Sequence, residues 1–216
     1  MKDIFRQLAR LHKQLKAAIA EASLIRADEE EESTSTEDAH AGVFTQLRHD
    51  MANAARLTFD YFQREHPTED FYAFALYTDD DASGAIPAAN SEQSFERAKQ
   101  RYVASHSSPT PEKLRYTPDE WGYAGGFGAI DEWHTIWETN ETIGSDDGVL
   151  RRLETMMLAL KDLDAEGYFG DGPQREKITL MIWITDSYNA NEWRVRSVKE
   201  LNPRTVYKRF LSEFPQ

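Results

Sequence analysis

Apolar residues recur three and four apart at Ile4, Leu8, Leu11, Leu15, Ala18, Ala22 and Ile25, with lysine and arginine between them. That spacing predicts an amphipathic N-terminal helix over residues 1–26. Residues 28–38 then contain no apolar side chain. Such a stretch cannot offset its own ordering entropy, so residues 27–40 are expected to be an acidic linker. The helical period returns over 42–65 through Leu47, Met51, Ala54, Thr58, Tyr61 and Phe62, and Pro67 ends it. The aromatic run Phe71 to Thr78 predicts a short buried strand. Asp79 to Gly84 is turn chemistry. Ala85 to Ala89 is expected to return as a strand, with Pro87 placing it at an edge or making it irregular. Asn90 is the expected helix cap, with Gln93 completing a loose capping box, and the helix it opens runs to about Ala104. A loop follows over 105–111.

Leu114 to Tyr123 is expected to be extended, limited by Pro118 and Gly122, and Gly125 to Gly128 to be a flexible loop. A short helix is predicted over 129–142. A longer one over 149–166 uses Val149, Leu153, Met156, Leu160 and Leu163, widened by Leu150 and Met157 and closed by Gly167. Ile178 to Thr185 is apolar on both faces and predicts a central strand. Trp193 to Val198 fits strand or helix equally, and 204–213 is a last helix after Pro203. Together these elements predict an α+β fold. A central, mainly antiparallel sheet of about four strands, with 71–78 and 178–185 in the middle, is covered by long helices in one domain over 41–216.

Charge narrows the function classes. The 216 residues hold 38 acids against 25 lysines and arginines, a net charge of −13. Residues 1–26 carry +4, 27–40 carry −7, 41–186 carry −13 and 187–216 carry +3. A nucleic-acid binder needs a basic face, so nucleic acid is not the expected partner. With no cysteine, disulfides, thiolate catalysis, cysteine zinc sites and Fe–S clusters are excluded. No apolar stretch is long enough to span a membrane. Charge at Lys2, Asp3 and Arg6 interrupts any signal-peptide core, so a cytoplasmic location is expected.

Motifs for cofactors and catalysis are missing. There is no glycine-rich dinucleotide or nucleotide-phosphate motif, no nucleophile elbow and no paired-histidine zinc motif. No cofactor, catalytic residue or metal ligand is therefore assigned. The glycines at 122, 125, 126 and 128 are read as a loop before an anion cradle. His134 and Glu138, four apart on a helix, are read as a surface pair. An alternative uses Asp79, Asp81 and Asp186 as oxygen ligands of a metal-dependent hydrolase or transferase. It requires the strands before them to run parallel, so that the carboxylates meet at one end of the sheet. Among the tryptophans, Trp183 is expected in the core. Trp121, Trp133 and Trp137 flank the glycine loop between acidic groups, a setting that interfaces use for anchors, although burial is the commoner fate of large aromatics.

Four segments together resemble a known family. They are Asp70 to Asp80 with Pro87 to Ser91, Arg115 to Tyr123, Ala159 to Phe169, and Thr179 to Asp186. Their order and spacing over roughly 43–202 are similar to a bacterial domain of unknown function in the four-thousands series. No catalytic residue comes with the resemblance. Its members are similar in setting to small cytoplasmic proteins found near secreted toxins, which implies an immunity role.

The expected function is therefore a cytoplasmic, non-catalytic binding protein that neutralises a bacterial toxin by direct contact. A nuclease toxin with a basic cleft suits an acidic inhibitor, because opposite charge steers the encounter. The candidate contact residues are Asp79, Asp80, Asp81, Glu120, Trp121, Tyr123, Asp146 and Asp147. A further alternative is a regulatory or scaffold module that dimerises through the N-terminal helix, whose Ile4, Leu8, Leu11 and Leu15 approach heptad spacing. Monomer and dimer both remain open.

Overall fold

The structure is a computed structural model that describes residues 42–105, 114–142, 148–185 and 190–214. The N-terminal helix, the acidic linker, Asp146, Asp147 and Asp186 lie outside the described residues. By its internal contacts the chain divides into Met1–Val43 and Phe44–Gln216. The architecture below is that of the second unit.

Four strands, β1 (Phe71–Thr78), β2 (Ile86–Ser91), β3 (Tyr123–Ala124) and β4 (Thr179–Ile184), form one sheet in the order β3-β2-β1-β4. β2 pairs antiparallel with β1 and with β3, while β1 and β4 run parallel. Six helices surround it among the described residues: α1 (42–65), α2 (Glu92–Ser105), α3 (Ile130–Thr142), α4 (Gly148–Ala165), α5 (Ala190–Leu201) and α6 (Arg204–Glu213). The fold is α+β as the pattern predicts. None of the described helices is long and apolar enough to cross a membrane.

Alternation along β1 and β4 divides the interior into two cores. Phe74, Leu76, Leu180, Ile182 and Ile184 face a core shared with α1, α3 and α4, through Met51, Phe59, Trp133, Leu153, Met156 and Leu160. Ala73, Ala75 and Met181 face a second core with Phe95 of α2, Tyr116, Trp121 and Phe210 of α6. Helix α5 stands at the sheet edge and feeds both, Trp193 and Leu201 into the first and Val198 into the second. Gly167 ends α4 with φ +74, and Tyr168 N–H reaches back to Leu163 O at 3.0 Å. That is the left-handed cap for which glycine has no Cβ penalty.

Several expectations are corrected. β4 is an edge strand of the sheet, not a central one. Its two faces are buried in the two cores, and α5 covers its open edge. β2 lies inside the sheet despite Pro87. The short β3 pairs only Ala88 and Ala89 in the ladder, and Gly125 N–H bonds Pro87 O at 3.0 Å. The cap of α2 is Ser91, whose hydroxyl accepts from Ser94 N–H at 3.0 Å; Asn90 is a buried strand residue donating to the Tyr72 hydroxyl. Residues 114–123 are not extended. Pro118 opens a 3-10 turn over Pro118–Glu120, where its missing N–H costs nothing, and the strand starts only at Tyr123. The ambiguous segment 193–198 is helical, within α5.

Candidate functional site

β1 and β4 stop together, with Thr78 opposite Ile184, and Thr185 N–H donates to Thr78 O at 2.8 Å. A crevice outside the carboxyl ends of parallel strands is where open sheets place ligands. Here one of about 520 Å³ opens, with Thr78, Asp79, Ser83, Gly84, Trp133 and Trp137 among its lining residues. The loop after β1 folds on itself. The Asp79 carboxylate accepts from Ser83 N–H at 2.8 Å and from the Ser83 hydroxyl, which orders the turn around Ala82. Helix α3 lies across the opening. Trp133 is buried, its indole N–H donating to Thr58 Oγ1 at 2.9 Å. Trp137 is 44% exposed and lies against Gly84, where a Cβ would come within 3.1 Å of the indole.

The rim combines apolar and acidic groups. Ile130, 65% exposed, precedes Trp137 by two turns on the same helix face, and the exposed Ile86 of β2 lines the crevice with Trp137. His134 stacks on Trp137 with ring centroids 6.1 Å apart and meets Glu138 at 3.3 Å, the surface pair read from the sequence. Asp79, Asp80, Asp81 and Asp131 are exposed. Behind the loop, the buried Arg152 donates to Asp81 O at 2.8 Å. Burial pushes the guanidinium pKa down while Asp79 and Asp81 hold it up. One polar group in the crevice is unsatisfied. Thr78 is 3% exposed and its hydroxyl has no hydrogen-bond partner.

The sequence candidates do not converge on one face. Asp79 lines this crevice, and Asp80 and Asp81 follow it in the same exposed loop. Trp121 is 7% exposed in the second core, its indole N–H donating to Arg115 O at 3.1 Å. Tyr123 packs in the first core against Phe62, His66 and Phe71, with Arg97 donating to its hydroxyl. Trp121 and Tyr123 thus lie in opposite cores, not on one face, because Trp121 ends the 3-10 turn before the strand begins. Glu120 hydrogen-bonds Tyr102, which raises the tyrosine pKa. Parallel pairing of β1 and β4 meets the geometric condition of the metal alternative. Among the described residues, no three histidines or carboxylates gather around one point. Gly128, at φ +84, closes the glycine loop where a Cβ would meet Tyr61 Cβ at 2.7 Å, a close-packing role. Sequence reasoning missed Thr78, Ile86, Ile130 and Arg152. The seven-residue spacing of Ile130 and Trp137 was the available signal for an exposed stripe on α3.

A larger cleft of about 860 Å³ lies at the opposite end of the sheet, beside Arg115, Lys177 and Arg209. Its two arginines are already matched. Arg115 holds Glu92 at 2.8 Å and Glu213 at 3.2 Å, and Arg209 donates to Glu176 O and Thr179 Oγ1. The smaller crevice is the better candidate because a half-exposed tryptophan and Asp79 line it and the buried Thr78 hydroxyl is unmet.

The family model described as a domain of unknown function, DUF4303, matches residues 51–203. The chain belongs to the DUF4303 family. No curated protein and no solved structure matches it. Within this DUF4303 member the matched span contains every residue that lines the crevice, whereas α6 lies beyond it.

Proposed function

We propose that the protein is a non-catalytic binding protein that neutralises a basic toxin protein in the cytoplasm, docking it at the face built by α3 and the 79–86 loop. The observation that carries this reading is the half-exposed Trp137, which lines the crevice with Ile86 and Asp79, while Ile130 on the same helix and Asp80, Asp81 and Asp131, nearby in sequence to these elements, are exposed. Aromatic anchors within a polar rim are what stable interfaces use. The surplus of acid favours a cationic partner and speeds encounter. The test is co-purification with the product of the neighbouring reading frame, together with protection of cells that express it. Absence of a complex at moderate salt, with no protection, ends the proposal.

A metal-dependent hydrolase or transferase centred on Asp79, Asp81 and Asp186 is the second reading, favoured by the parallel pairing of β1 with β4. Against it, the Asp79 carboxylate already serves Ser83, and Arg152 faces the same loop. Calorimetric titration with Mg²⁺, Mn²⁺ and Ca²⁺ decides. Heat that vanishes in Asp79→Asn supports the reading, and flat titrations remove it.

A further inference from the structure

We infer that the crevice at the shared end of β1 and β4 receives an arginine side chain of the binding partner, stacked on Trp137 and hydrogen-bonded at Thr78 and Asp79. This deepens the proposed function and rests on it for the source of the arginine. Three independent observations carry it.

The first is the unmet Thr78 hydroxyl. Thr78 shares the face of β1 that carries Phe74 and Leu76, the side on which Trp133 packs. Its Oγ1 is buried without a partner, and Thr78 is among the residues that line the crevice. A buried polar group left unpaired costs about 1–3 kcal/mol, so such groups in native proteins point to a missing donor or acceptor.

The second is charge. The loop carries Asp79, Asp80 and Asp81, all exposed; Asp79 lines the crevice, and the charges of Asp79 and Asp81 act on Arg152 behind it. Each Asp79 oxygen accepts one bond from Ser83 and keeps a free lone pair. The crevice wall therefore presents acceptors to an incoming donor.

The third is the exposed indole. Trp137 stands at the mouth, held in place by Gly84 below and His134 beside it. A tryptophan face attracts a cation, and a planar guanidinium stacks on it while its five N–H groups reach acceptors in its own plane. A lysine ammonium is a point charge and cannot do both. An apolar side chain would leave Thr78 unmet.

The test uses the whole protein and three small probes: L-argininamide, L-lysinamide and L-norleucinamide. Binding is followed through the indole N–H resonances of Trp133 and Trp137. Argininamide is expected to shift both saturably, at concentrations about tenfold below those lysinamide needs, a gap of about 1.4 kcal/mol. Norleucinamide should leave them in place. Asp79→Asn keeps the acceptor for Ser83 but removes the charge, and should weaken argininamide binding at least fivefold. Thr78→Val removes the hydroxyl at nearly constant shape. It should weaken binding while leaving the melting temperature unchanged or higher, which separates lost binding from lost folding. The inference is overturned if argininamide causes no saturable shift, if norleucinamide matches it, or if both variants bind argininamide like the parent. Argininamide binding without any toxin complex would sink the proposed function and leave the arginine site standing. A toxin complex formed equally well by Asp79→Asn and Thr78→Val would do the reverse.

Discussion

Asn202 bonds Leu180 as a neighbouring strand would. Its Oδ1 accepts from Leu180 N–H at 2.8 Å and its Nδ2 donates to Leu180 O at 2.7 Å. Two residues along, Ser197 Oγ accepts from Ile182 N–H at 3.0 Å. The outward backbone groups of β4 are thus satisfied by side chains from α5 and the turn after it, so the sheet ends there without an open edge. Asn202→Ala is expected to cost about 1–3 kcal/mol, because it strands a buried N–H and C=O together. Asn202→Asp should also destabilise, because it sets a carboxylate oxygen against the Leu180 and Val198 carbonyls that the amide now serves. Urea unfolding measures both, and an Asn202→Ala protein as stable as the parent would show that water replaces the amide at no cost.

Arg175 fastens the same corner from the other side. It is 6% exposed, and its guanidinium pairs with Asp164 at the end of α4. It also donates to Ile178 O at 2.7 Å and to Leu201 O at 2.8 Å, so one side chain joins α4, the start of β4 and the end of α5. Arg175→Met should destabilise by about 3–5 kcal/mol, since it leaves a partly buried carboxylate and two carbonyls without their donor. Arg175→Lys should recover only a minor part, because one ammonium cannot span three acceptors. Equal stability of the lysine variant and the parent would refute the account.

These edge contacts explain why the sequence misplaces β4 while identifying it. The run Leu180 to Ile184 is apolar throughout, and hydropathy reports its burial correctly. It cannot report whether the cover is a strand or a helix, and the covering residues Ser197 and Asn202 look like ordinary polar positions on α5 and after it. By contrast, β1 over Phe71–Thr78, α4 with its Gly167 cap and α6 after Pro203 are set by local signals, and all three match expectation closely. Pro118 carries two meanings, a limit to a strand or the start of a turn, and only the packing of Trp121 chooses between them. The candidate site is half legible. Asp79 to Asp81 read as a turn rich in acid, but its approach to Trp137, more than fifty residues later, depends on how α3 crosses the sheet end.

Acid should weaken the fold through Glu92. The hydrogen bond from Arg115 holds its carboxyl below the usual carboxylate range, against the opposing effect of burial. A carboxylate whose folded pKa is depressed contributes stability that is fully present above the unfolded value of about 4.3 and is lost as pH falls through the folded value. Glu92→Gln should therefore show a shallower loss of stability than the parent below about pH 4.3. The difference will be small, because the side chain is half exposed and solvent screens the pair. Denaturant titrations at a series of pH values read it, and superimposable profiles for the two proteins would mean the pair is inert.

Two tryptophans sixteen residues apart give the sharpest contrast between structure and binding. Trp121 is enclosed by Tyr72, Phe95, Tyr116 and Phe210 in the second core, with its N–H bonded to Arg115 O. Trp121→Ala removes that volume and leaves the carbonyl without its donor, so it should cost about 3–5 kcal/mol. Trp137 stands 44% exposed on α3, with one edge against Gly84. Trp137→Ala deletes a part-buried ring rather than an enclosed one and places a better helix former on α3, so it should lower the melting temperature by clearly less than Trp121→Ala does. The same substitution should weaken partner binding by at least about 2 kcal/mol, as the loss of a central aromatic anchor does. Thermal melts of both variants, with binding measured on Trp137→Ala, separate the two roles. If Trp137→Ala unfolds as readily as Trp121→Ala, then α3 is held to the sheet by that indole, and the exposed face belongs to the fold before it belongs to any partner.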